Sequence, residues 1–146
     1  MNINEFDKLQ HKRNTKQLAI DFDGVIHKSS KSFYDGTIYD DPVDGVEEAL
    51  KQLSKDYTLI IYTCKANPDR PLINGKTGTE LIWEWLDKYN LSRYINDIVH
   101  GKPNAKYYID DKGIRFTDWN QTMKEVYEQK NFWIKREDVT VWRYFR

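Results

Sequence analysis

The stretch Gln17-Leu18-Ala19-Ile20-Asp21-Phe22-Asp23-Gly24-Val25-Ile26 decides how the rest of the chain is read. Its apolar run, Leu18-Ala19-Ile20, shows no polar alternation, as in a strand buried on both faces of a parallel sheet. A strand is therefore expected over 16–22. Two carboxylates then fall two positions apart, with a glycine after the second. On a continuing strand, residues two apart share a face, so Asp21 and Asp23 are expected to aim at one point. Two anions that close repel unless a cation sits between them, and a hard divalent metal such as Mg²⁺ takes such oxygen ligands.

Working outward, 57–62 (YTLIIY) reads as a second apolar strand, 97–100 as a short third and 107–110 (YYID) as a fourth. Helices are expected between them. In 42–54, Asp44 and Glu47 form a capping box, and Val46, Ala49, Leu50 and Leu53 share a face. In 79–90, Leu81, Ile82, Trp85, Leu86 and Tyr89 form one stripe. A helix over 117–129 turns Trp119, Met123, Val126 and Tyr127 inward. Pro103 suggests a helical turn over 102–105. The segments 27–41 and 64–78 read as loops, 1–15 as a polar lead-in, and the aromatic tail 131–146 as an added strand. This alternation predicts one α/β domain over 1–146, a Rossmann-like three-layer sandwich around a central parallel sheet.

Lys+Arg 23 balances Asp+Glu 23. Zero formal charge argues against a general nucleic-acid or membrane-surface role. Cys64 is the single cysteine, so no internal disulfide forms. With no apolar leader and no membrane-length apolar run, the expectation is a soluble cytoplasmic protein. Cys64 reads as a buried bystander of redox chemistry, since no second thiol exists to resolve it. His27 reads as a substrate contact or a loop residue without a role. His11 and His100 lack metal-ligand spacing. The segment Lys76-Thr77-Gly78-Thr79 lacks the glycine spacing of a phosphate loop and follows no strand.

In open α/β sheets ligands bind at the carboxyl ends of the strands. Asp21 and Asp23 end the first strand, Thr63 follows the second, Asp110 and Asp111 end the last, and Lys102 lies just upstream of it. These residues, as Asp21-Phe22-Asp23-Gly24-Val25, then Leu59-Ile60-Ile61-Tyr62-Thr63, Gly101-Lys102-Pro103 and Tyr107-Tyr108-Ile109-Asp110-Asp111, resemble the four motifs of the haloacid dehalogenase-like phosphohydrolase superfamily. The resemblance runs from about Gln17 to Trp119.

The resemblance implies a phosphatase with a Mg²⁺ cofactor and an aspartyl-phosphate intermediate. Asp21 would be the nucleophile and Asp23 the general acid/base, a role that wants a pKa near the working pH. Thr63 would bond the transferring phosphoryl group, and Lys102 would neutralise charge beside it, with Lys106 as the alternative lysine. Asp21, Asp110, Asp111 and the main-chain carbonyl of Asp23 would hold the metal. Backbone N–H groups of Phe22, Asp23 and Gly24, with Cys64 and Lys65 beyond Thr63, complete the expected phosphate surroundings.

The spans from Asp23 to Thr63 and from Thr63 to Lys102 are consumed by a loop, a helix and a strand each. The resemblance therefore implies a capless member whose open site admits a small or large phosphorylated substrate, or is covered by a second copy of the chain. Two alternatives stand beside it. One is a non-catalytic receiver-like or metal- or nucleotide-binding module. The other is a phosphatase acting on nucleic-acid ends, suggested by the open site and Trp142-Arg143-Tyr144-Phe145-Arg146.

Overall fold

A computed structural model describes residues 16–133. The lead-in 1–15, with His11, and the aromatic tail beyond 133 lie outside the described residues. The chain divides into two compact units, one ending at Asp111 and the other beginning at Lys112.

The first unit carries β1 (Gln17–Asp21), α1 (Val46–Leu53), β2 (Thr58–Tyr62), α2 (Gly78–Lys88), β3 (Asp97–Val99) and β4 (Tyr107–Ile109). Its sheet has four strands in the order β3-β2-β1-β4. All three pairings are parallel. The α/β class expected from the alternation of elements is thus observed. The first strand in sequence lies inside the sheet because both of its faces are apolar: Leu18, Ala19 and Ile20 are all buried. From β1 the chain winds outward through β2 to β3, then returns to pair β4 on the other side of β1. The winding reverses at the seam between β1 and β4, where open α/β sheets bind ligands.

Register then sorts the side chains. Leu18 pairs with Leu59 and Ile20 with Ile61, and Ile61 with Ile98. These residues share one face, since side chains alternate along each strand. They join Val46 and Leu50 of α1 and Ile82, Trp85 and Leu86 of α2 in one buried cluster. Burying each such side chain is worth about 1.5–3 kcal/mol. Both helices of the first unit therefore cover the same face. Ala19 and Ile60, on the opposite face, are buried as well.

Several local expectations change. Helix α1 has no capping box; Gly45 is its N-cap, at φ 86°, with no side-chain cap bond. Asp44 thus falls one residue outside the helix, and Ala49 is exposed. The capping box belongs to α2, where Thr77 Oγ1 accepts the Glu80 N–H at 3.1 Å and Glu80 Oε1 accepts the Thr77 N–H at 3.4 Å. No helical turn forms at 102–105. The Tyr108 hydroxyl takes that segment's backbone groups instead, donating to the Pro103 carbonyl at 2.7 Å and accepting the Ala105 N–H at 3.3 Å.

The second unit is described by α3 (Trp119–Trp133), longer than expected and extending into the segment read as an aromatic tail. Trp119, Met123 and Val126, expected to face inward, are exposed. No helix among the described residues is long and apolar enough to cross a membrane.

Gly78 opens α2 directly against the main chain of Lys65, and a Cβ there would overlap the Lys65 carbonyl oxygen. Space, and not phosphate binding, explains the glycine in Lys76-Thr77-Gly78-Thr79. Gly78→Ala should therefore lower stability by about 2 kcal/mol or more, because backbone cannot move aside cheaply. Gly45→Ala, where the space is open, should cost only the left-handed conformation, about 1 kcal/mol. Urea unfolding midpoints of the two variants check the order; equal losses would contradict it.

Candidate functional site

Asp21 is the last residue of β1. Tyr62 pairs with it on one side, and the register of Ile20 with Ile109 carries Asp110 alongside on the other. Paired residues of parallel strands point to the same side. Tyr62, Asp21 and Asp110 thus stand in a row on the sheet face opposite the helices. Tyr62 donates its hydroxyl proton to Asp110 Oδ2 at 2.9 Å. Burial first, then this carboxylate, push the phenol's pKa upward, so it remains a donor.

One oxygen from each of Asp21, Asp110 and Asp111 lies within 4.8 Å of the others. Asp110 and Asp111 are exposed, and Asp21 is half-buried. Burial pushes the Asp21 carboxyl up to about 6. The Phe22 N–H, which donates to Asp21 Oδ1 at 2.8 Å, opposes the rise, while Asp110, Asp111 and Asp23 add to it in that order. Gly24 makes room for the trio: its φ is +85°, and a Cβ would run into Asp111 Oδ2. The donor set is entirely hard oxygen, and its mutual repulsion is what a divalent cation would relieve.

Asp23 does not join this trio, although strand periodicity aims it there. The strand ends at Asp21, and the Phe22 carbonyl accepts N–H groups from Val25 at 3.3 Å, Ile26 at 2.9 Å and His27 at 3.0 Å. That turn swings Asp23 away, and its Oδ1 takes two donors: His27 Nδ1 at 2.8 Å and Lys65 Nζ at 2.9 Å. Burial raises the Asp23 pKa, but the His27 and Lys65 hydrogen bonds outweigh it and hold the carboxyl below its usual range. In the free protein Asp23 therefore lacks the near-neutral pKa expected of a general acid/base.

His27 is wholly buried and not open to a substrate. It stacks on Phe22 with ring centroids 5.4 Å apart and meets Trp85 edge-on at 5.6 Å. Its Nε2 accepts the Asp40 N–H at 3.0 Å, so the proton sits on Nδ1, facing Asp23. The Trp85 indole N–H donates to the Asp40 carbonyl at 2.9 Å. Lys65, expected to reach a substrate, is instead buried on Asp23.

Thr63 is buried and accepts the Lys65 N–H on its Oγ1 at 3.3 Å, which leaves the hydroxyl proton to donate elsewhere. Cys64, expected to be buried, is exposed because it opens the short 3₁₀ turn Cys64–Ala66. Two members of the expected backbone phosphate cradle are engaged: Phe22 N–H with Asp21, and Gly24 N–H with the His27 carbonyl at 2.8 Å.

The two candidate lysines separate by face. Lys102 Nζ lies over the Tyr108 ring at 4.2 Å, and Lys106 Nζ over the Tyr107 ring at 5.6 Å. Tyr108 shares the face of Asp110, whereas Tyr107 pairs with Leu18 on the helix side. Lys106 also immediately precedes the strand, its N–H on the Gln17 carbonyl, at the end away from the carboxylates. Sequence reasoning missed two residues: Tyr62, visible only as the polar tip of an apolar run, and Tyr108, which places Lys102. Compared with protein-family models, curated proteins and solved structures, the chain shows no match.

Asp21 binds its proton more tightly folded, at about 6, than at its ordinary 3.8. Its charge therefore weighs against the fold increasingly as pH rises from 3.8 to 6, and fully above that. Asp21→Asn should stabilise the metal-free protein at pH 7.5 by on the order of 1 kcal/mol after solvent screening. The gain should shrink as pH falls through 6 and vanish below 3.8. Thermal melts in chelator across this range measure it; a pH-independent difference would contradict the cost of burying the Asp21 charge.

Proposed function

We propose that the chain is a Mg²⁺-dependent phosphomonoester hydrolase of the haloacid dehalogenase-like type, working through an aspartyl-phosphate on Asp21. The observation that carries this reading is the convergence of Asp21, Asp110 and Asp111 at the seam where β1 and β4 end side by side. Asp21 and Asp110, with the Asp23 carbonyl, would hold Mg²⁺, and Asp111 would complete or orient the set. Bound there, the ion would neutralise phosphate charge and let one anion approach another.

The chain's own residues supply the rest. An Asp21 oxygen attacks phosphorus, and the bond to the leaving oxygen breaks. Asp23 delivers a proton to that oxygen, then takes one from the water that attacks the acyl-phosphate. Water's oxygen ends on inorganic phosphate, and Asp21 is regenerated. Asp23 is held ionised in the free protein, which suits the base half of this cycle. A phosphate dianion beside it adds like charge and raises its affinity for the proton that the acid half needs. The Thr63 hydroxyl donates to the phosphoryl group. Lys102, on the carboxylate face, swings from Tyr108 to the developing charge.

No insertion large enough for a cap separates the elements of the first unit, so the substrate class extends to phosphate esters larger than metabolites. Asp21→Asn should abolish Mg²⁺-dependent release of phosphate from an aryl phosphate. Lys102→Met should lower kcat/KM by roughly 10²- to 10³-fold, while Lys106→Met should stay within about twofold of the parent, as expected of surface changes. Steady-state assays with and without chelator check all three. Turnover retained by Asp21→Asn would overturn the mechanism, and stable phosphorylation of Asp21 without turnover would mark a phosphoacceptor module instead.

A further inference from the structure

Outside the carboxylate trio, the most unusual feature of the first unit is what holds Asp23. His27 is 0% exposed and Lys65 4% exposed, yet both spend their polar ends on one atom, Asp23 Oδ1. A buried ammonium is costly unless it is paired. A buried imidazole with both nitrogens engaged is likewise fixed in one tautomer. Nothing in the packing of a strand-end turn demands such partners. An apolar side chain at either position would fill the same space without the desolvation cost.

The connections run outward from the clamp. His27 opens the 27–41 segment, and Asp40, near the end of that segment, returns its N–H to His27 Nε2. The Lys28 N–H closes the same base on the Asp41 carbonyl at 2.9 Å. Trp85 of α2 secures Asp40 through its carbonyl. Lys65 opens the 64–77 segment in the turn that Thr63 caps. The donors described for Asp23 fall on Oδ1, so Oδ2 is the oxygen presented to a reacting group. A carboxylate gripped by one oxygen from two directions cannot rotate about its last bond.

We propose that His27 and Lys65 are positioning residues that clamp Asp23 Oδ1, aim Oδ2 at the reacting group and couple that aim to the fold of the 27–41 segment. The inference rests on the reading of Asp23 as the proton-transferring group, but the clamp itself is testable without turnover.

Two substitutions split the functions of His27. His27→Gln keeps an acceptor for the Asp40 N–H and loses the donor to Asp23; His27→Asn keeps the donor and loses the acceptor. With p-nitrophenyl phosphate and Mg²⁺, His27→Gln should lower kcat about 10- to 100-fold with KM little changed, and His27→Asn should retain more of kcat. In an Asp23→Asn background, His27→Gln should add no further loss, because it acts only through that carboxylate. Equal losses in both backgrounds would make His27 merely structural and overturn the proposal. Should His27→Gln fail to fold, Lys65→Met and Lys65→Arg carry the same cycle, with Arg recovering part of the loss.

Nitrogen-15 NMR of the histidine rings in metal-free protein gives an arm independent of activity. The ring signal removed by His27→Gln should show the Nδ1–H tautomer, with a proton protected from exchange that becomes exposed to it in Asp23→Ala. An Nε2–H tautomer, or protection unchanged by Asp23→Ala, would overturn the clamp whether or not the protein turns over. A parent protein inactive on all phosphate esters but showing the Nδ1–H signature would overturn the phosphatase reading and leave the clamp supported.

Discussion

Three carboxylates meet where two parallel strands end side by side, and the repulsion among them is the constraint that their neighbours answer. Register forces the meeting: once Ile20 lies beside Ile109, the next residues are Asp21 and Asp110. Each neighbour concedes something. Tyr62 gives a proton bond to Asp110, Phe22 turns its N–H onto Asp21, and Gly24 gives up a side chain so that Asp111 fits. Asp21 still rises to about 6, chiefly because it is buried, with Asp110, Asp111 and Asp23 adding to the rise. Such a cluster of hard oxygens could hold a metal ion.

The two aspartates of the opening motif are treated in opposite ways. Asp21 is surrounded by carboxylates and desolvated, so its charged form is disfavoured. Asp23 has a buried ammonium and an imidazole N–H on one oxygen, so its charged form is favoured. Environments that drive two nearby acids apart are the usual physical basis for giving them different tasks. Sequence spacing alone treats the pair as equivalent. The difference comes from the turn after Asp21, which leaves one carboxylate on the sheet and swings the other between two loops.

Much of the fold was legible because a strand buried on both faces must be apolar throughout. Leu18-Ala19-Ile20 and Leu59-Ile60-Ile61 could be read directly, and so could the carboxylates that end such runs. What escaped reading depended on contacts between distant residues. The turn that removes Asp23 from the strand's periodicity is made by three N–H groups on one carbonyl. Burial of His27 depends on a backbone N–H thirteen residues away. The missing cap of α1 follows from Gly45 taking a left-handed conformation one residue after Asp44. Nor does helical periodicity say whether a stripe is covered: Trp119, Met123 and Val126 form one and are exposed.

The loops that begin at His27 and Lys65 also meet each other. Arg70 lies over the Phe33 ring at 4.9 Å, and a Cβ at Gly36 would meet the end of the Ile73 side chain at 2.9 Å. The two segments thus touch away from Asp23, and each also sends a side chain to Asp23 Oδ1. On the proposed reading, this arrangement would link contact at the rim to the carboxylate that transfers protons.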